Sequence, residues 1–185
     1  MKRHLSNDQY IDRLRNNVFD VVCQHALWIK FSELSSEKRH FRTQVAYANT
    51  LRLINNAVAS ELIINLCALL EKRVDTVNFL GLVGHFGNAL STDFKALVKE
   101  TVNSDYAKKL VVVRNNVLAH TSKHADNTWH QLRPSGREIW LAVTRVQRLY
   151  RLACIQIRGY DPPAIKTLPV GQRQEVDKFI DALVR

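Results

Sequence analysis

Glycine and proline are scarce in this chain, six and four among 185 residues, and their scarcity argues against an architecture of short strands and tight turns, which needs them as punctuation. Cysteine is scarcer still. Cys23, Cys67 and Cys154 are odd in number, far apart and set in apolar helical patterns, so neither a disulfide framework nor a CxxC metal site is indicated. Buried thiols in a reducing compartment are the expectation. The first eight residues, Met-Lys-Arg-His-Leu-Ser-Asn-Asp, lack the apolar stretch of a secretory signal, and the richest apolar run, Leu62 to Leu70, is broken by Asn65 and too short to span a bilayer. A cytoplasmic location with no membrane partner follows as an expectation. Acidic residues are also in deficit: 27 Lys and Arg face 17 Asp and Glu, for a net charge of +10 and a pI of 9.8. Such an excess favours a polyanionic partner, nucleic acid first. A solvated basic face that only maintains solubility gives the same count, and charge alone does not separate the two.

What is present is helical periodicity. With 46% hydrophobic residues and no linker, repeat or low-complexity segment, the chain predicts one all-α domain over 1–185, an up-and-down helical bundle with additional short helices and a C-terminal appendage from about 160. Ser6 and Gln9 have capping-box spacing ahead of Ile11, Leu14, Val18, Val21 or Val22 and Leu27. That helix is expected to reach about Leu34. A second is expected from Ser36 to Arg73, bent or broken near Thr50. Asp75 or Thr76 is the expected cap of a short helix that Gly84 and Gly87 weaken, and Ser91 or Thr92 caps another, Asp93 to Val102. Gly81, Gly84 and Gly87 are spaced by three, which is not a phosphate-binding loop. Ser104 opens a helix striped with Tyr106, Leu110, Val113 and Val117. Ser135 and Glu138 form a second capping box before the seam Ile139, Val143, Val146, Tyr150, Ala153 and Ile157. Gly159 and Pro162-Pro163 end that helix, and an amphipathic segment with Val176, Phe179, Ile180 and Leu183 follows.

One stretch carries chemistry. Arg114-Asn115-Asn116-Val117-Leu118-Ala119-His120 joins a guanidinium, whose planar fork suits two phosphate oxygens, to an imidazole, the side chain that titrates near neutrality. Metal-free cleavage of RNA requires that pairing. At about 100° per residue, positions six apart differ by about 240° around a straight helix, so Arg114 and His120 flank the Tyr106–Val117 stripe on opposite shoulders. One helix is then a poor catalytic pair with itself. Packing of that stripe against a symmetry mate brings two arginines and two histidines to one cleft; an irregularity at Asn115 or Asn116 is the rival way to unite them.

The motif, an arginine followed directly by a polar residue and then by a histidine at position 120, resembles that of HEPN domains, and the wording Val-Arg-Asn-Asn-Val-Leu-Ala-His-Thr is similar to their abortive-infection and toxin branch. Arg114, Asn115 and His120 match. The tyrosine that one subgroup carries two positions after the histidine is replaced by Ser122. The resemblance implies an all-helical homodimer with a composite site and metal-independent endoribonuclease activity without a cofactor. It also implies a setting in phage defence or under the control of an antitoxin or regulatory partner. In that reading His120 moves protons and Arg114 neutralises phosphoryl charge. Asn115 orients the arginine or the phosphate.

Supporting residues are weaker. Glu61, a carboxylate bordering the second helix's stripe, suits holding the arginine or choosing the histidine tautomer, although an ordinary partly exposed glutamate accounts for it better. Arg145 and Arg148, in an arginine-rich face with Arg137, Arg151 and Arg158, suit an RNA backbone, and Trp129 suits stacking on a base. A solvated helix face and an edge-packed tryptophan are the commoner explanations. His120 and His124 are four apart, but no third ligand or zinc motif accompanies them, so no metal is expected. A catalytically silent RNA- or nucleotide-binding or assembly module of the same fold is the second hypothesis. A DNA-binding regulator is disfavoured, since no short glycine-bearing turn precedes a polar recognition helix.

Overall fold

Two long helices form the spine of the bundle. In the computed structural model, which describes residues 5–37, 45–73, 76–115 and 134–163 together with Gln174 and Lys178, α1 spans Asn7–Glu37 and α2 spans Val45–Leu70. The Ser6–Gln9 box opens α1 as the spacing predicts: Ser6 N–H donates to Gln9 Oε1 at 3.1 Å and Gln9 N–H to Ser6 Oγ at 3.3 Å. The two helices run antiparallel, because Asn65 reaches Gln24 (3.0 Å) while Ser32, eight positions further along α1, reaches back to Asn55 (3.4 Å).

The expected α1 face is the core face. Ile11, Leu14, Val18 and Val21 are buried against Leu62, Ile63, Leu66 and Leu69 of α2. Phe31 and Leu51 form a smaller second cluster toward the far end, with Leu27, Ile54 and Val58 against it. The apolar part of α2 is longer than the Leu62–Leu70 run suggested. Its Asn49–Leu70 stretch, 22 residues containing an 18-residue window of mean hydropathy 1.7, is long and apolar enough to cross a membrane. Length and composition alone do not separate that from a core helix, and here α1 covers α2 while its buried side chains build the centre of the bundle.

Shorter helices follow. Helix α3 (Phe79–His85) is capped by Asn78, whose Oδ1 accepts from Gly81 N–H at 2.7 Å. The expectation of Asp75 or Thr76 is therefore corrected by a few residues. Asn78 is fully buried and bound elsewhere: its Nδ2 donates to the Arg73 carbonyl (2.6 Å) and to Thr76 (3.0 Å), and the Tyr10 hydroxyl of α1 donates to its carbonyl (2.9 Å). Gly81 is glycine for space, since a Cβ there would stand 2.4 Å from the Tyr10 hydroxyl. Helices α4 (Thr92–Asn103) and α5 (Asp105–Val113) start at Ser91 and Ser104, both accepting N–H groups of the first turn as expected.

Helix α6 (Gly136–Arg158) has the full Ser135–Glu138 capping box and stops at Gly159, which takes the left-handed conformation at φ 70°. Ile139, Val143, Val146, Tyr150 and Ala153 are buried, so the predicted seam is the core seam. The start of α6 lies beside Trp28 and its last residue, Arg158, reaches Asp8 and Asp12 at 3.2 and 3.1 Å, so it too is antiparallel to α1. The fold is all-α, with six helices and no strand among the described residues. Phe179, Ile180 and the rest of the expected C-terminal helix face lie outside those residues.

Candidate functional site

Helix α5 delivers the arginine of the motif to the end of α2. Leu110 and Val113 are fully buried within the chain's own core. That part of the stripe is therefore unavailable to a second copy, contrary to the packing expected from the sequence. The reason is that one apolar stripe serves equally well inside a domain or between two, and α2 and α6 already occupy it. At Arg114 and Asn115 the helix widens into a π-helical turn. Arg114 N–H is shared between the carbonyls of Leu110 and Val111. A helical irregularity is thus present at Arg114 and Asn115, where the sequence offered one as the rival way to unite Arg114 with His120. His120 and Trp129 lie outside the described residues.

The Arg114 side chain is 19% exposed and its carboxylate partner is Glu71, 10% exposed, reached by Nη1. Glu71 directly follows α2, with its N–H still bonded to the Cys67 carbonyl (2.9 Å). A carboxylate at a helix C-terminus faces the negative end of the helix dipole, so the guanidinium supplies the compensation that position needs. Asn115 Oδ1 accepts from Arg114 Nε (3.2 Å) and Nη2 (2.7 Å). The amide thus grips one edge of the guanidinium while Glu71 holds another. Of the five guanidinium N–H donors, three are engaged among the described residues, leaving one on each Nη for a further acceptor.

The inner wall is dry. Cys67, one turn before Glu71, has no exposed surface. Burial pushes its thiol up to about 12, with Glu71 adding to the rise and Arg114 opposing it. Electrostatic contacts made against such a wall are less screened than on open surface.

Glu61 stands elsewhere: it is exposed on α2 and accepts from Asn65 at 3.5 Å. Holding the arginine, the part considered for it, is carried out by Glu71. The sequence reading considered Glu61 alone; the signal that could have found Glu71 is its place as the first charge after the Leu62–Leu70 run. The arginine-rich face divides in two. Arg151 and Arg158 are engaged by Asp161 and by Asp8 and Asp12, whereas Arg145, half-buried, and Arg148, exposed, make no ion pair among the described residues. Among those residues no three His, Cys, Asp or Glu side chains converge as a metal site would require; His124 lies outside them.

The AbiU2 family model of HEPN domains matches residues 8–179, from the start of α1 to beyond α6. The chain belongs to this HEPN-type abortive-infection family. No curated protein and no solved structure matches it.

Proposed function

We propose that this AbiU2-type HEPN domain is a metal-independent endoribonuclease. The ribose 2′-oxygen attacks the adjacent phosphorus as its proton passes to a base. The bond from phosphorus to the 5′-oxygen then breaks and that oxygen takes up a proton, leaving a cyclic phosphate and a free 5′-hydroxyl. His120 serves these transfers, one copy as base and the other as acid, because an imidazole works in both directions near neutrality. Arg114 stabilises the charge that grows on the non-bridging oxygens. Asn115 and Glu71 are positioning residues that hold the guanidinium.

The observation that carries the reading is the held Arg114: fixed on two edges, set against a dry wall, and left among the described residues with two N–H donors suited to phosphate oxygens. The composite site between two copies is part of the proposal and rests on family membership, since Leu110 and Val113 are taken up internally. Its setting is phage defence or a toxin system with a neutralising partner.

The second reading, a catalytically silent RNA-binding or assembly module, draws on the same pair: an arginine already neutralised by Glu71 is what a purely structural ion pair looks like. Incubation with labelled RNA in the presence of chelator separates the two. For a catalyst, Arg114→Ala lowers the rate by about 10²–10³ and His120→Ala by about 10²–10⁴, with cyclic phosphate on the wild-type products. Cleavage that survives both substitutions, or that stops only on chelation, removes the mechanism.

A further inference from the structure

A cleft of about 490 Å³ opens one residue beyond the carboxylate that holds Arg114, lined by Tyr10, Lys72, Arg73, Thr76, Leu80, Gly81, Gly84 and His85. Its volume is that of a small-ligand site. Two features distinguish it from an ordinary surface hollow. Lys72, exposed, places a cation on the rim formed by the chain leaving α2, beside Arg73, which is exposed but already engaged. Opposite them His85 is exposed yet fixed: its Nε2 meets Asn7 Oδ1 at 3.0 Å, and its ring lies on that of Tyr10 with centroids 5.1 Å apart and planes 18° from parallel. Tyr10 is itself held by hydrogen bonds with Asn78. Gly84 keeps the floor open, with nothing within 4 Å of where its Cβ would stand.

We infer that this cleft is a subsite for one nucleotide unit of single-stranded RNA, the phosphate against Lys72 and the base flat on the His85 ring. A pre-oriented ring beside a cation is a combination by which proteins hold unpaired bases along a strand. An acidic peptide would use the cation but leave the ring idle. Because Lys72 follows Glu71 directly, the rim begins next to the residue that holds Arg114. The inference rests on RNA being the substrate, and it assigns the cleft to a neighbour of the cleaved linkage, where it would set the strand's direction across the site.

The test is binding of a labelled 2′-O-methyl oligonucleotide, which cannot undergo 2′-oxygen attack, followed by fluorescence anisotropy over a range of salt. Lys72→Ala is expected to weaken binding and to flatten the log–log salt slope by about 0.7, the value for one lost phosphate contact. His85→Ala is expected to weaken binding about tenfold with the slope kept, while His85→Phe retains affinity. Gly84→Phe, which fills the floor, blocks binding, and circular dichroism confirms that its helices remain. Unchanged affinity in these variants overturns the subsite, as does equal loss in His85→Phe and His85→Ala, or equally tight and equally sensitive binding of polyglutamate. The RNase reading fails separately, in the cleavage assay on Arg114→Ala and His120→Ala with this cleft intact.

Discussion

Two regions of this molecule hold an arginine against a carboxylate, and they differ in almost everything except the contact itself. At the junction of α2 and α5, Arg114 and Glu71 are 19% and 10% exposed; across the end of α6, Arg151 and Asp161 are 61% and 47% exposed. Hydrogen-bond geometry does not rank them. The outer pair is bidentate, with Arg151 Nε at 2.6 Å from Asp161 Oδ1 and Nη2 on the other oxygen. That contact holds the Asp161 carboxyl below its ordinary range. The inner pair uses a single Nη1, with Asn115 on the guanidinium's other edge. Surroundings make the difference: water screens the outer pair, whereas Cys67 and the core back the inner one.

The largest break in this comparison is expected from Glu71→Gln. Removing one charge from an enclosed pair strands the other, so unfolding free energy should fall by about 3 kcal/mol, read in urea melts, and RNA cleavage should fall with it. An Arg114→Ala, Glu71→Ala double variant sharpens the point. If the pair acts as a unit, its stability loss is well short of the sum of the single losses.

A smaller effect is expected at the intermediate pair, Lys109 and Glu138, 31% and 29% exposed. Burial tends to raise the Glu138 carboxyl, but bonds from the Ser135 N–H, Lys109 and the Ser135 hydroxyl outweigh it and hold it below 4.5. Its stabilisation is therefore complete above 4.5 and is lost as pH falls through the lowered folded value. Glu138→Gln, which keeps the capping-box acceptor but removes the charge facing Lys109, should cost about 0.5 kcal/mol at pH 7, the worth of a partly exposed ion pair. Urea midpoints of wild type and variant should converge as the pH falls below the folded value. A difference that stays constant with pH would assign the effect to packing instead.

The smallest effect is expected at Asp161→Asn, with no measurable shift of the urea midpoint at moderate salt. A shift comparable to that of Glu71→Gln would show that bidentate geometry, and not enclosure, sets the worth of these pairs.

Local signals were legible along the chain and distant ones were not. The boxes at Ser6 and Ser135, the caps at Ser91 and Ser104 and the stop at Gly159 each depend on residues within one turn, so spacing sufficed to find them. Asn78 escaped because its conformation is held partly by Tyr10, 68 positions away. Glu71 escaped for the same reason, its partner lying 43 positions downstream. Spacing cannot say which end of α2 the motif helix will meet, so Glu61 was considered and Glu71 emerged only once the helices were packed. The stripe was correctly read as apolar, and at Leu110 and Val113 it is taken up by the chain's own core.

The order of residues alone determined an all-helical chain, its starts and stops, its basic charge and an arginine motif of HEPN type, since each depends on periodicity, composition or neighbours in sequence. Packing decided which carboxylate faces Arg114, that its stripe is buried within the chain, and that Tyr10 and His85 share a cleft with Lys72 and Arg73. Those are relations between helices far apart in sequence, and only the burial of a common core brings their ends together.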